Sequence, residues 1–354
     1  MVNFYFFIGT KAQIIKCIPL INKIKNIKHF NPVVVSSGQH KSIVDSAIET
    51  SLIEVERINL YKNNKDITRY FQGIKWIFSF IKNYLIFKTK LKDENNENFC
   101  IVHGDTISTL LGAYWGKRNK LKLIHLESGL TSNKWFVPFP EEIVRRFVAQ
   151  KSDILICFDE NSKKRLENKY KEKHIFMASD NTVIETLDVN NLVTDSKKVT
   201  ITLHRTENIV NKKRFSKFLQ LINVIGTTYN ATWFLHEPTK NYLNKHKLEI
   251  PNNISVSSLR NHEDFLEELK SSYLVITDGG SIQEECFYLG KNAIIWRGVT
   301  ERPEALNKNM IISDYDNDKI LNFIKNLDNN VSYSKTTSSP SDEIVDYLKT
   351  KFKI

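Results

Sequence analysis

Short apolar runs alternate with longer amphipathic stretches along almost the whole of this chain. Apolar runs of four to eight residues between polar turns are typical of buried strands, whereas apolar positions at helical spacing predict helices. Strands that alternate with helices in this way favour a parallel sheet covered by helices on both faces. The predicted strands comprise residues 4–8, 32–36, 99–102, 121–126, 154–157, 199–203, 232–236, 254–257, 274–277 and 293–296. The predicted helices comprise residues 13–25, 40–48, 110–118 and 142–151, with one long or two shorter helices in residues 67–91.

The length and composition of the chain predict two domains. With 354 residues and 41% hydrophobic content, the chain is long enough for two ordinary domains that each bury a core. Residues 189–198 are polar and lack periodicity, so we interpret them as a linker. We therefore predict an α/β protein with two doubly wound Rossmann-like domains, residues 1–188 and 189–354, that face each other across a central cleft. Residues 333–342 are rich in Ser, Thr and Pro and predict a loop before a terminal helix, which could pack back on the first domain.

Composition narrows the classes of function. Charged residues interrupt every apolar stretch of about 18 residues, so we expect no transmembrane segment. Residues 1–8 lead directly into a strand pattern, so we expect no signal peptide and a cytoplasmic protein. The net charge of +11 is spread along the chain rather than gathered on one module, so we expect no nucleic-acid partner. The cysteines have neither CxxC nor metal-ligand spacing, so we expect buried free thiols, no metal and no other cofactor. These cysteines are Cys17, Cys100, Cys157 and Cys286.

A Gly-rich turn in the second half has the pattern of an anion site. Residues 278–285 read DGGSIQEE, directly after an apolar run and at the start of a helical pattern. Glycines let the backbone approach a phosphate closely, and the N–H groups at a helix start point towards negative charge. Gly279, Gly280 and Ser281 are therefore candidate phosphate-binding residues, and Glu285 could contact the vicinal hydroxyls of a sugar. An ordinary turn between strand and helix is the alternative, because this short motif is common.

Polar loops follow most of the other predicted strands. A charged loop, residues 300–305 (TERPEA), comes after the strand that follows the Gly-rich turn. Because ligands of doubly wound sheets bind outside the carboxyl ends of the strands, we expect these loops to line one crevice. The other six loops are GTK (9–11), SGQH (37–40), HGDT (103–106), HLESG (125–129), HRTE (204–207) and HEP (236–238).

Carboxylates and a histidine near these strand ends indicate acid/base chemistry. We expect Asp105, Glu127 and Glu141 to lie near one another, with His204 facing them from the second domain. Clustered acids shift one another's pKa values apart, which provides a proton donor and a proton acceptor near neutral pH. Taken singly, Asp105 could instead cap a helix together with Thr106, and Glu141 could instead complement a helix dipole.

Seven short motifs together resemble those of one enzyme family. They are HGDT (103–106), HLESGL (125–130), PFPEE (138–142), NTVIE (181–185), HRTEN (204–208), DGGSIQEE (278–285) and TERPEA (300–305). Their order and spacing are similar to those of the non-hydrolysing UDP-N-acetylglucosamine 2-epimerases, from Gly9 to about Ala305. The resemblance implies the two-domain fold shared with GT-B glycosyltransferases and a homodimer. It also implies interconversion of UDP-GlcNAc and UDP-ManNAc, for surface polysaccharide synthesis.

The resemblance further implies a mechanism and roles for individual residues. The C2 proton is removed and UDP is expelled to give a 2-acetamidoglucal, after which UDP re-adds and the proton returns to the opposite face. Asp105, Glu127 and Glu141 fall on the acid/base carboxylates of the family, and His204 falls on an essential histidine near the diphosphate. The candidate UDP- and substrate-binding residues are Lys11, Lys16, His236, Gly279, Gly280, Ser281, Glu285, Arg302 and Glu304. Gln39 and His40 match part of a pair linked to a regulatory UDP-GlcNAc site in bacterial members.

The chain departs from the family pattern in two of these loops. The family's GTRPE becomes GTKAQ at residues 9–13, and its EAGLR becomes ESGLT at residues 127–131. Lys11 supplies charge but not the bidentate fork of an arginine, and Thr131 removes a second guanidinium. From Lys11, Gln13 and Thr131 we predict that the substrate is not plain UDP-GlcNAc or that the reaction is not plain epimerisation.

The same scaffold is compatible with other functions. A GT-B glycosyltransferase or a hydrolysing epimerase that releases the free sugar is the first alternative. A catalytically silent nucleotide-sugar binder is the second. Retention of the four candidate catalytic residues counts against the silent binder, because drift would erode at least one of them.

Overall fold

The chain forms two compact units, each built around its own parallel sheet. The computed structural model describes residues 1–51, 53–61, 75–79, 98–132, 140–187, 194–300, 302, 306, 309–327 and 339–354. The first unit comprises Met1–Thr186 with Thr336–Ile354, and the second comprises Leu187–Lys335. Both units alternate strands with helices, so the predicted α/β class is confirmed.

The first unit contains a sheet of seven parallel strands. In chain order they are β1 (Val2–Ile8), β2 (Phe30–Ser36), β3 (Glu56–Asn59), β4 (Phe99–His103), β5 (Lys122–Leu126), β6 (Ile154–Cys157) and β7 (His174–Met177). Their order across the sheet is β3-β2-β1-β4-β5-β6-β7. The helices are α1 (Lys11–Lys25), α2 (Lys41–Thr50), α3 (Ile107–Arg118), α4 (Glu141–Lys151) and α5 (Glu160–Lys169), with a 3₁₀ helix at Thr182–Thr186. Residues 75–79 are also helical.

The second unit contains a sheet of six parallel strands. They are β8 (Asp195–Leu203), β9 (Asn230–Leu235), β10 (Ser255–Ser258), β11 (Ser272–Thr277), β12 (Asn292–Ile295) and β13 (Met310–Ile312). Their order across the sheet is β10-β9-β8-β11-β12-β13. The helices are α6 (Thr206–Ile209), α7 (Lys212–Gly226), α8 (Glu237–His246), α9 (His262–Ser271), α10 (Gly280–Tyr288) and α11 (Asn317–Lys325).

Strand β1 shows why the central strands read as continuous apolar runs. Phe4 and Phe6 belong to a buried cluster on one face of the sheet, whereas Tyr5 and Phe7 belong to a separate buried cluster with Trp115. The ring centroids of Phe7 and Trp115 are 5.9 Å apart. Because helices cover both faces of the sheet, every side chain of β1 except Val2 is buried, and the alternation of an exposed strand is lost.

The terminal helix α12 (Pro340–Phe352) packs on the first unit. Lys23 of α1 places its Nζ 2.8 Å from Asp342 Oδ2. The ring of Phe352 lies against Phe99 of β4, with centroids 5.4 Å apart. The helix therefore contributes to the core beneath β1 and β4 although the chain reaches it last.

All ten predicted strands are present, and three further strands escaped the sequence analysis. The missed strands β3, β7 and β13 each lie at an edge of a sheet. Edge strands are short and partly exposed, so their apolar pattern is weak; β3 reads ERIN and none of its side chains is buried. Helix α5 was also missed because its sequence, ENSKKRLENK, is almost entirely polar.

Two predicted loops were partly wrong. The predicted linker at residues 189–198 overlaps β8, because Asp195–Lys198 project polar side chains outward while the backbone pairs with neighbouring strands. The predicted loop at residues 333–342 overlaps α12, where Ser339 caps the helix and Pro340 occupies its first turn. A proline at that position begins a helix rather than breaking one. Residues 189–193 and 333–338, and most of the predicted helical region 67–91, lie outside the described residues.

Among the described residues, no helix combines the length and the apolar character that crossing a membrane requires.

Gly112 of α3 is expected to be essential for packing of that helix on the sheet. A Cβ at this position would lie 2.7 Å from the Phe7 ring and 2.8 Å from Val102 Cγ1. We expect Gly112→Ala to destabilise the protein by about 1–3 kcal/mol, because overpacking outweighs the gain in helix propensity. The matched control is Gly298→Ala, whose Cβ would meet Tyr315 Cε2 at 3.6 Å and no other atom of the described residues. Equal urea midpoints for the two variants would contradict this account.

Candidate active site

Loops at the carboxyl ends of β1, β4 and β5 lie side by side, because these strands are neighbours in the first sheet. The N–H of Gly104, after β4, donates to the carbonyl of Leu126 at the end of β5 (3.0 Å). The N–H of His40, after β2, donates to the carbonyl of Gly9, after β1 (2.9 Å). Within this unit the topology therefore brings the candidate loops to one edge of the sheet, as predicted.

Glu127 is a buried carboxylate that several contacts hold in place. It is 8% exposed and has a φ of 61°, in the left-handed region that non-glycine residues seldom occupy. Its Oε1 lies 2.7 Å from Nζ of Lys16, which is itself 4% exposed, and it accepts a hydrogen bond from Asn181 Nδ2 (3.0 Å). His103 Nδ1 lies 3.7 Å from Oε2. Two buried donors and the strand end thus fix the carboxylate in place.

Asn181 and the 3₁₀ helix that follows it hold Lys16 as well as Glu127. The hydroxyl of Thr182 donates to the backbone carbonyl of Lys16, and Asn181 Oδ1 accepts from the N–H of Val183 (3.2 Å). Sequence reasoning assigned no role to Asn181. The family-like motif at residues 181–185 could have identified Asn181 as a site residue, because Asn181 is its first residue. In the structure this residue hydrogen-bonds to Glu127.

His125 supports the same strand ends without acting as a charge. Burial lowers its pKa to about 4, although the hydrogen bond to the Gly104 carbonyl opposes that change. The ring Nε2 lies 2.8 Å from that carbonyl oxygen. A Cβ on Gly104, which has a φ of 67°, would lie 3.3 Å from Glu127 Oε2. A side chain at Gly104 would therefore crowd the Glu127 carboxylate.

A second ionic group joins Asp105 to helix α4. Arg145, which is 3% exposed, forms an ion pair with Asp105 and donates from NH1 to Glu142 Oε2 (2.8 Å). Glu142 is fully buried and also accepts from Arg146 Nε (2.8 Å) and from the Thr131 hydroxyl (2.6 Å). Burial raises the pKa of Glu142, but these hydrogen bonds and the charge of Arg145 outweigh burial and lower it.

Two of the predicted acids of the first unit are paired with cations. Asp105 contacts Arg145 and Glu127 contacts Lys16, and both cations are buried. Opposite charge favours the ionised form, whereas mutual repulsion would have disfavoured it. Glu141 is the first residue of α4 and half-buried, consistent with the helix-dipole alternative, and the neighbouring Glu142 provides the buried carboxylate.

Gln13, one of the departures from the family pattern, lies in a helix and joins two parts of the first unit. It is 2% exposed in the first turn of α1, where it completes a capping box with Thr10. Its Nε2 donates to the carbonyl of His103 (2.8 Å) and lies 2.9 Å from the hydroxyl of Thr109 in α3. An amide can do this because it donates as well as accepts, so Gln13 connects the starts of α1 and α3.

The other two residues that depart from the family pattern, and the two candidate regulatory residues, all lie in or beside helices of the first unit. Thr131 is a hydrogen-bond donor to Glu142, and Lys11 is the half-buried first residue of α1. Gln39 Oε1 accepts from the Ser108 hydroxyl (2.6 Å), and His40 is the N-terminal cap residue of α2. No regulatory ligand follows from these contacts, and that role stays a prediction.

In the second unit, the Gly-rich turn leads into α10 as predicted. Gly279 is the N-cap residue, the helix begins at Gly280, and no side chain among the described residues caps its first turn. The N–H of Gly279 donates to the Thr277 hydroxyl (3.0 Å). A helix N-terminus without a side-chain cap suits a bound anion, because its first backbone N–H groups can donate hydrogen bonds to negative charge.

Asp278, at the end of β11, binds the loop after β8. Its fully buried carboxylate accepts from the backbone N–H groups of His204 (3.1 Å) and Arg205 (2.9 Å) and from Asn208 Nδ2 (3.0 Å). Burial raises the pKa of Asp278, but the hydrogen bond and charge of His204, with the Asn208 and Arg205 donors, lower it to about 2. Sequence reasoning included Asp278 in a motif but gave it no role.

His204 is held on several sides. Its Nδ1 lies 3.0 Å from Asp278 Oδ1, and its ring stacks on His236 with centroids 4.7 Å apart and planes inclined by 28°. A Cβ on Gly279 would lie 3.1 Å from His204 Cε1. The absence of a side chain at Gly279 therefore leaves room for the histidine ring.

The remaining candidates of the second unit lie along α10. Glu285 Oε1 lies 2.9 Å from Nε2 of His262, a residue that sequence reasoning did not single out. Arg302 NH1 lies 3.0 Å from Glu284 Oε1. The backbone carbonyl of Arg302 accepts a hydrogen bond from Gln283 Nε2 (2.7 Å). Arg302, and Thr300 whose hydroxyl donates to Gln283 Oε1 (2.8 Å), are thus bonded to α10. Glu304 lies outside the described residues.

Comparison with known proteins shows which family this sequence matches. The profile described as UDP-N-acetylglucosamine 2-epimerase matches residues 22–349. The chain is 28% identical over 333 residues to the UDP-N-acetylglucosamine 2-epimerase of Campylobacter jejuni, covering 86% of this chain and 83% of that protein. It is also 28% identical over 344 residues to the protein of that description from Methanococcus maripaludis, covering 90% of each chain.

Solved structures share the fold over almost the whole length. The UDP-GlcNAc 2-epimerase of Methanocaldococcus jannaschii, in complex with UDP-GlcNAc and UDP, matches with a TM-score of 0.79 and 25% identity, covering 99% of each chain. The UDP-GlcNAc 2-epimerase of Neisseria meningitidis, bound to UDP-GlcNAc, matches with a TM-score of 0.80 at 23% identity, covering 99% of this chain and 100% of that one. The predicted two-domain GT-B-like fold class is therefore confirmed.

The buried Lys16–Glu127 pair is expected to show strong coupling. Lys16→Met leaves Glu127 buried without its cation, so we expect a loss of about 3 kcal/mol in the free energy of unfolding. The double variant Lys16→Met/Glu127→Gln should lose less than the sum of the two single variants, because it leaves no unpaired charge. Lys23→Met on the same helix breaks an exposed pair with Asp342 and should cost less than about 1 kcal/mol. Additive losses in urea unfolding would contradict the coupling.

The Asp278 carboxylate predicts how stability changes with acid. Its pKa falls from 3.8 to about 2 on folding, so the stabilisation is present above pH 3.8 and is lost as the pH falls through about 2. The stability difference between the wild type and Asp278→Asn should therefore shrink by about 2 kcal/mol between pH 5 and pH 2. Urea unfolding at both pH values measures this difference. A difference that stays constant would mean that folding leaves the pKa of this carboxyl unchanged, and a difference that grows in acid would mean that folding raises it.

Proposed function

This chain belongs to the UDP-N-acetylglucosamine 2-epimerase family, and we propose that it interconverts UDP-GlcNAc, or a related UDP-2-acetamido sugar, with its C2 epimer. Two carboxylates at adjacent strand ends, each beside a buried cation, carry this proposal. Glu127 lies against Lys16 at the end of β5, and Asp105 lies against Arg145 at the end of β4. Proton transfer to and from carbon needs carboxylates held at fixed positions, and these two ion pairs hold them.

The chemistry would proceed by elimination and re-addition of UDP. A carboxylate accepts the C2 proton, the C1–O bond breaks with its electron pair leaving on UDP, and a C1=C2 double bond forms. UDP then re-adds at C1 while a second acid returns a proton to the other face of C2. A carboxylate that accepts a proton must be ionised, and the ammonium group 2.7 Å from Glu127 stabilises that state. Asp105, Glu127 and Glu141 are the residues to which we assign these transfers.

The second unit is proposed to bind the UDP moiety. The start of α10 at Gly279–Ser281 offers backbone donors to the diphosphate, His204 offers a ring nitrogen, and Glu285 is assigned to the ribose. Arg302 and His236 complete this set, as the family resemblance implies. In the first unit Lys11 and Lys16 are assigned to the substrate on the same ground.

The departures from the family pattern now give less support to an altered sugar. Gln13 is buried and joins α1 to α3, and Thr131 is engaged with Glu142, so both changes have structural partners. Lys11, half-buried at the start of α1, is the departure that could still contact the hexose. UDP-GlcNAc is therefore the first substrate to test, followed by a panel of UDP-2-acetamido sugars.

Several wider features belong to this proposal. We assign the enzyme to surface polysaccharide synthesis, as a homodimer in the cytoplasm. The four cysteines are buried and unpaired, which suits a reducing compartment. A hydrolysing epimerase or a GT-B glycosyltransferase is the alternative that shares the scaffold.

Turnover of UDP-GlcNAc in deuterated water tests the reaction. We expect deuterium to enter C2 without net release of UDP, as followed by NMR. Glu127→Gln should slow this exchange by roughly a hundredfold or more, because the amide cannot take the proton. UDP affinity measured by calorimetry should survive, since the substitution lies in the first unit.

The matched control is Glu160→Gln, which makes the same chemical change at an exposed position at the start of α5. It should leave the exchange rate within about twofold of the wild type. Full activity in Glu127→Gln would remove the acid/base assignment. Net accumulation of UDP with free sugar would identify a hydrolysing enzyme instead.

A further inference from the structure

We propose that Asp278 is a positioning residue that fixes the orientation and the tautomer of His204. The role of His204 at the diphosphate rests on the proposed function. The orientation and tautomer of its ring do not depend on that function. Nothing in the family resemblance as stated above assigns this role to Asp278. It emerges from the contacts between the ends of β8 and β11.

The carboxylate holds both the backbone and the ring of one residue. Asp278 accepts from the backbone N–H of His204 at 3.1 Å, and its Oδ1 lies 3.0 Å from Nδ1 of the same histidine. It also accepts from the backbone N–H of Arg205 (2.9 Å), which fixes the residue that follows. The loop after β8 therefore cannot move the ring without breaking several contacts to one buried group.

The charge state of Asp278 determines which ring nitrogen carries the proton. The carboxylate is fully buried and its pKa lies at about 2, so at neutral pH it can only accept hydrogen bonds. Nδ1 of His204 lies 3.0 Å from Asp278 Oδ1, so the ionised carboxylate favours a proton on this nitrogen over one on Nε2. The other nitrogen, Nε2, is left to accept a hydrogen bond when the ring is neutral and to donate one when it is charged.

Other contacts restrict rotation of the ring. His236 stacks on it with planes inclined by 28°, and Gly279 provides space beside Cε1 that any larger residue would fill. The side chain of His204 remains 36% exposed, while its Nδ1 is buried 3.0 Å from Asp278 Oδ1, without the geometry of a regular hydrogen bond. The exposed part of the side chain therefore belongs to atoms other than Nδ1.

This arrangement suits a histidine that meets a departing diphosphate. A ring with Nδ1–H held by a carboxylate can present Nε2 to an anionic oxygen, and the carboxylate stabilises the positive charge if the ring is protonated. A freely rotating histidine would spend much of its time with the wrong nitrogen or the wrong angle. Asp278 would act through His204 and would not itself touch the substrate.

The tautomer can be measured directly on the wild-type enzyme. In ¹⁵N NMR spectra of histidine-labelled protein, with His204 assigned by comparison with His204→Gln, we expect the neutral ring to carry its proton on Nδ1. A neutral ring protonated on Nε2 would overturn the proposal without any change to Asp278. This readout does not depend on turnover, so it holds even if the protein lacks epimerase activity.

Asp278→Asn tests the consequence for catalysis. The amide can donate to Nδ1, so we expect the Nε2–H tautomer to become favoured and kcat for C2 exchange to fall by about a hundredfold or more. KM should change by less than about threefold if the effect is on the reacting state rather than on binding. An unchanged tautomer, or an unchanged kcat, would show that the carboxylate only supports the backbone.

Asn208→Ala is the matched control for that structural support. Asn208 donates to the same carboxylate at 3.0 Å but does not reach His204. This variant should keep the Nδ1–H tautomer and a kcat within about threefold of the wild type, even if its thermal stability falls. A wild-type enzyme that shows neither exchange nor UDP release would refute the proposed function while leaving the tautomer result to decide the role of Asp278. Equal losses of kcat in both variants would refute positioning.

Discussion

The buried ion pair between Lys16 and Glu127 is the interaction on which the candidate site of the first unit depends. Removing both charges from water is costly, and the structure offsets that cost with a 2.7 Å contact and a further donor from Asn181. The pair connects α1, the end of β5 and the 3₁₀ helix at Thr182–Thr186. It also holds Glu127 at a positive φ, which the surrounding contacts must sustain.

The same physical solution recurs at two other buried carboxylates. Glu142 is surrounded by Arg145, Arg146 and Thr131, and Asp278 by His204 with the donors of the β8 loop. Each group keeps its charge because several donors replace the lost water. A protein that buries acids in this way can hold them at fixed positions for reaction, since ordering occurs during folding rather than when substrate arrives.

Two departures from the family pattern have structural partners that the sequence alone does not reveal. Gln13 seemed to remove an acid from a substrate loop, but its amide bridges α1 to His103 and Thr109. Thr131 seemed to remove a guanidinium from the sugar, but its hydroxyl donates to Glu142, which already has two arginines. Neither exchange could be interpreted from the chain alone, because the meaning of each residue lies in partners that are distant in sequence.

The sequence by itself determined the alternation of strands and helices, the two parallel sheets and the family, because apolar periodicity and short motifs are local properties of the chain. It also identified Asp105, Glu127 and His204 as candidates, since they follow predicted strands. Only the tertiary structure decided which charges meet: that Glu127 faces Lys16, and that Asp278 holds His204. These pairings join residues 111 and 74 positions apart, and the folded backbone, not any local pattern, brings them within contact distance.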